Sequence, residues 1–99
     1  MPQTKLGLFV RLHAKPGMEK ELASFLAEAL PLANAEAGTL NWFAIQFDNT
    51  TFGIFDSFAD DAGRDAHLNG PIAAALMANA AKLLAQSPVI EKVNVLAKK

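Results

Sequence analysis

Two residues in the segment "FDSFADDAGRDAHLNGP" (residues 55–71) are of types that could move protons: Asp56 and His67. Asp56 shares strand parity with Phe52, Ile54 and Phe58, so it points wherever those apolar side chains point. A carboxylate in that setting needs a hydrogen bond or a cation, and burial then favours its neutral form. It is a candidate general base or an anchor for a polar ligand. The structural alternative pairs it with Arg11, Arg64 or a backbone amide. His67 falls at the end of a short helical pattern, about 100° around from Ala66, on the flank of the face that should be buried. An imidazole there exchanges a proton near neutral pH, or else interacts with the helix C-terminus.

His13, alternating with Arg11 and Phe9, is expected at a sheet surface or interface. A metal site of His13, His67 and Asp56 has suitable ligand types, but no HxH, HxxxH or HxxE spacing supports it, so no metal is expected. Trp42, the only tryptophan, is the aromatic that best fits a cavity wall, because its N–H needs a partner. Asn41 beside it and Asn69 and Asn79 on the helical side would add polar points to a mostly apolar pocket, the usual make-up of a small-ligand site.

These residues must be positioned by a small fold. Ninety-nine residues make one domain, 1–99. The segment "KLGLFVRLHA" (5–14) is rich in strand formers and closes at "KPG". Met18, Leu22, Phe25, Leu26, Ala29 and Ala33 then recur at helical spacing, with Pro31 set to kink or loosen the last turns and Gly38 suited to the stop. "TLNWFAIQFD" (39–48), a turn at "NTT" and "FGIFDSF" (52–58) read as a hairpin. A short helix over 60–68 begins at Asp60 and Asp61, and Pro71 opens another carrying Ile72, Leu76, Asn79, Ala80 and Leu83. "VIEKVNVLA" (89–97) closes the chain as a last strand.

The order β-α-β-β-α(α)-β is the split βαβ pattern of a ferredoxin-like α+β fold, a four-stranded antiparallel sheet with helices on one face. A sheet wet on its other face should alternate cleanly between apolar and polar residues. "WFAI" and "FGIF" do not. With 52% hydrophobic residues and a mean hydropathy of +0.18, a homodimer joined through the free sheet face is the economical expectation.

Charge is balanced, nine Lys and Arg against ten Asp and Glu, which gives no basic footprint for nucleic acid. The absence of cysteine excludes disulfides, thiolate nucleophiles and zinc–thiolate sites. No signal-peptide pattern or membrane-length apolar run occurs, so a cytoplasmic protein without membrane contact is expected. No Gly-rich phosphate loop, GxSxG or dinucleotide fingerprint is present.

The segments "AKPGMEKELASFLAEALPLANAEAGTLNWFAIQ" and "FGIFDSFADDAGRDAHLNGPIAAAL" resemble the antibiotic biosynthesis monooxygenase family over nearly the whole chain. The shared pattern is a first strand ending in "KPG", "GT" leading into a strand, and an acid–x–aromatic strand end followed by "D-x-A…AHL-x-x-P". The resemblance implies a dimeric α+β barrel. It also implies a cofactor-independent monooxygenase acting on a small aromatic or quinol-like molecule, with the substrate itself supplying electrons to dioxygen. Asp56 stands at the family's acidic strand position, Phe58 where Trp is common, and His67 at the "AH" position. A second histidine common after the next Pro is Ile72 here. Haem-degrading relatives use an Asn, a Trp and a His at places that fall here near Val10, His67 and Met77, so haem is not expected.

The resulting assignment has His67 as proton acceptor and Asp56 as its partner, in a pocket between the sheet and the "AHLNG" helices. Trp42 and Phe58 are its walls, and Asn41, Asn69 and Met77 are further substrate contacts. A non-catalytic dimeric small-ligand module, or an isomerase of the same fold needing no dioxygen, are the competing readings.

Overall fold

The computed structural model describes residues 3–99; the first two residues of the stretch searched for a leader lie outside the described residues. Strand β1 (Leu6–His13) leads to helix α1 (Glu19–Glu28) and a short helix α2 (Leu30–Ala35). The hairpin of β2 (Thr39–Gln46) and β3 (Thr51–Phe58) follows, then α3 (Asp61–Leu68), α4 (Pro71–Leu83) and β4 (Val89–Asn94). The sheet order is β2-β3-β1-β4 with every neighbour antiparallel, which is the ferredoxin-like arrangement.

Local chemistry sets the boundaries. Gly17, with φ at +89°, takes the left-handed step that turns "KPG" away from the sheet. Pro31 has no N–H to continue the α1 ladder, so the single kinked helix expected from the sequence is two helices, α1 and α2. Asp60 caps α3 by accepting from the Gly63 N–H at 2.9 Å. Pro71 occupies the first turn of α4, where a missing N–H costs nothing. The last strand ends at Asn94, short of the expected span to residue 97.

One face of the sheet carries the core. Leu8, Val10 and Leu12 of β1 and Phe52, Ile54 and Phe58 of β3 are buried beneath Leu22 and Leu26 of α1 and Leu76 and Leu83 of α4. The opposite face holds Phe9, Arg11, Phe43, Ile45, Phe47, Phe55 and Val89. Of these, Phe43, Ile45, Phe47 and Val89 are exposed. The Arg11 guanidinium lies over the Phe9 and Phe47 rings at 5.2 and 4.6 Å, which accounts for its charge on that apolar surface.

Candidate functional site

Asp56 and His67 meet. Asp56 is fully buried on β3, paired with Leu8 of β1 and Trp42 of β2. His67 of α3 places Nε2 2.8 Å from Asp56 Oδ2. Of the partners available to Asp56, the structure therefore selects His67. Arg11 lies on the other sheet face, and Arg64 pairs with Asp61 at 3.1 Å. The Nε2–Oδ2 contact is an ion pair at hydrogen-bond distance, and Asp56 Oδ1 has no hydrogen-bond partner among the described residues.

A second carboxylate, Glu36, lies on the far side of the imidazole. His67 Nδ1–H donates to Glu36 Oε1 at 2.6 Å, and the Thr39 hydroxyl donates to the same oxygen at 2.8 Å. Glu36 follows α2 in the turn leading to β2, a place the sequence marked only as the end of a helix. Its approach depends on two glycines. A Cβ on Gly38 would come within 3.0 Å of the Gly63 Cα, and one on Gly63 within 3.0 Å of the Gly38 oxygen. Turn and helix thus pack backbone to backbone. Gly63 and His67, four residues apart, share the α3 face that meets the turn.

The imidazole is buried, with 8% of its side chain exposed. Desolvation alone would push its pKa down, and this is the largest single effect. Hydrogen bonding and charge from Asp56 and Glu36 together outweigh it, raising the pKa from 6.5 to about 9. His67 is therefore an imidazolium at neutral pH, clamped between two acids. The Phe58 ring packs against it, with centroids 5.5 Å apart.

The other sequence-selected residues are dispersed. Trp42 is half-buried opposite Asp56, packed against Ala29, Ala33 and Ile72, and its Nε1–H has no partner among the described residues. Asn41 faces the other side of the sheet, accepting from Ser57 Oγ at 2.8 Å. Asn69 closes α3 by donating to the Asp65 carbonyl at 2.9 Å, and Met77 is 60% exposed. Asn79 donates to the Ala75 carbonyl within its own helix. His13 ends β1, on the face of Arg11 and Phe9. Cavities of about 330 and 340 Å³ lie elsewhere, one between α1 and α4 and one on the open sheet face beside Asn41, Phe43 and Ser57. Among the described residues, no cluster of three His, Cys, Asp or Glu side chains is arranged to hold a metal ion.

Comparison with solved structures decides the kinship. A protein of unknown function from Nitrosomonas europaea is 69% identical, with a TM-score of 0.97, over 100% of this chain and 96% of its own. The chain belongs to that protein's family. A Pseudomonas aeruginosa protein is similar at 27% identity and a TM-score of 0.83, covering 98% of this chain and 99% of its own. A candidate antibiotic biosynthesis monooxygenase from Nitrosomonas europaea shares the fold at a TM-score of 0.83 and 14% identity, over 93% of this chain and 99% of its own. The family thus has the fold of the antibiotic biosynthesis monooxygenases. No protein-family model and no curated protein matches the chain.

Proposed function

We propose that the protein is a cofactor-independent monooxygenase that oxidises a small phenolic or quinol-like aromatic with dioxygen. The observation that carries this reading is the His67 imidazolium held between Asp56 and Glu36 in a buried setting. For a simple phenol the reaction is phenol plus O2 giving para-quinone plus water. One oxygen atom enters the ring, the other leaves as water, and the substrate supplies all four electrons. The protein's contribution is proton handling in a dry site. Because His67 is already protonated at neutral pH, the acceptor role passes from His67 to Asp56. Asp56 takes the hydroxyl proton, and the imidazolium stabilises the phenolate and supplies the proton that the reduced oxygen needs. Asp56 is fully buried, so substrate reaches it only as the side chains packed around it, Trp42 among them, make room.

The working unit we propose is a homodimer that covers the exposed apolar face of Phe43, Ile45, Phe47 and Val89. Oxygen uptake by metal-stripped protein over a panel of hydroquinones and naphthols tests the reading. Uptake should exceed autoxidation, and His67→Ala should lower it at least about a hundredfold.

The complete burial of Asp56 favours one second reading, a non-catalytic module in which the ion cluster is structural and a small apolar ligand binds elsewhere. In that case no substrate is consumed, and His67→Ala keeps its ligand affinity if it folds.

A further inference from the structure

We propose that Trp42 and Asp56 together hold the hydroxyl group of a bound ligand, so that the space between sheet and helices accepts a phenol in preference to the same ring without a hydroxyl. This rests on the reading of the interior as a site for a small aromatic, and it assigns the atoms that recognise it.

Trp42 and Asp56 are paired across β2 and β3, so their side chains leave the sheet on the same face. Trp42 Nε1 and Asp56 Oδ1 are both buried, and neither has a hydrogen-bond partner among the described residues. Nor are they bonded to each other. An indole N–H can only donate, and a carboxylate oxygen can only accept. A hydroxyl group does both: its oxygen accepts from Nε1–H while its hydrogen goes to Oδ1. Asp56 Oδ2 is occupied by the charge of His67, so Oδ1 is the oxygen left to receive that hydrogen.

The surroundings suit the rest of an aromatic ligand. Trp42 packs against Ala29, Ala33 and Ile72, and Phe58 stands two residues from Asp56 on the same strand face. An unpartnered buried donor and an unpartnered buried acceptor on one sheet face disfavour a ligand lacking the hydroxyl, because both groups then stay unpaired.

The sequence provides the reporter. Trp42 is the only tryptophan and the chain has no tyrosine, so both the indole N–H resonance and the intrinsic fluorescence come from this site. The protein is titrated with phenol and, in parallel, with fluorobenzene, which matches its size but cannot donate. Phenol should shift the indole N–H resonance saturably and bind at least tenfold more tightly than fluorobenzene. Trp42→Phe, followed by calorimetry, should remove that tenfold preference, with phenol affinity falling more than fluorobenzene affinity. Equal affinity for the two rings, an indole resonance unmoved at saturating phenol, or an unchanged preference in Trp42→Phe would each overturn the proposal. The wild-type comparison stands even if the variant does not fold. Selective phenol binding without oxygen uptake supports this inference and overturns the monooxygenase reading. Oxygen uptake with an unchanged KM for phenol in Trp42→Phe overturns this inference alone.

Discussion

At the scale of single residues the cluster Glu36–His67–Asp56 sets the electrostatics. It sets one imidazolium between two carboxyl groups within a largely buried volume. Such a group of charges is costly to desolvate, and removing the histidine would leave two carboxylates unbalanced. The sign of the pH dependence follows from the raised pKa. In the unfolded chain His67 titrates near 6.5, and in the folded protein near 9. Its contribution to stability is therefore complete below about pH 6.5 and is lost as pH rises through about 9, amounting to at most about 3 kcal/mol. Denaturant melts at pH 6 and pH 9.5 should show that loss, and His67→Gln should flatten it. Nitrogen NMR of the imidazole should place its titration near 9 and move it toward 6.5 in Glu36→Gln. A wild-type titration near 6.5 would remove the clamped imidazolium from the site.

At the scale of elements, the site depends on how closely α3 approaches the turn before β2. Gly38 and Gly63 leave no room for a β-carbon, since each would meet the other's backbone at 3.0 Å. Gly63→Ala should force α3 outward, costing about 1–3 kcal/mol of overpacking despite the gain in helix propensity. It should also lengthen the Glu36–His67 contact, which a lower imidazole pKa would report. An unchanged melting temperature and an unchanged pKa would show that the contact is not needed. The element boundaries were legible where single residues enforce them. Pro16 and Gly17, Asp60, and Gly70 and Pro71 are steric or hydrogen-bonding signals that act within a few residues. Pro31, expected to kink or loosen the helix, stands in the first turn of a separate six-residue helix, because its missing N–H interrupts the ladder of α1.

At the scale of the whole molecule, the sheet has one face covered by its own helices and one without cover in the chain. Apolar side chains on both faces of β2 and β3 signalled this from the sequence alone. The exposed residues are the large ones, Phe43, Ile45 and Phe47 on neighbouring positions of one strand edge, joined by Val89 across the sheet. We propose a second copy as their cover, and Ile45→Glu should convert a dimer to a monomer in sedimentation at micromolar concentration. A monomeric wild type would reject that proposal. Among the described residues, two charges lie on this face: Arg11 is stacked on Phe9 and Phe47, and Glu91 of β4 is paired with Phe9.

The order of elements, the antiparallel sheet and the two-sided apolar character of its hairpin were determined by the sequence, because periodicity and turn residues express themselves locally. So was the joint presence of Asp56 and His67, since the fold that the pattern implies carries β3 into α3 after a short turn. Glu36 was not legible. It is 31 residues from His67, in a turn, and only the Gly38–Gly63 approach brings it to the imidazole. Trp42 shows the same limit within a strand. Regular alternation from Thr39 opposite Phe58 would have set Asn41 against Asp56. A register shift between Thr39 and Asn41 sends Asn41 to the open face and sets Trp42 against Asp56 instead. A bulge of one residue exchanges the faces of everything after it. Which side chain faces the buried acid was therefore decided by strand pairing, a contact between distant segments that no local pattern encodes.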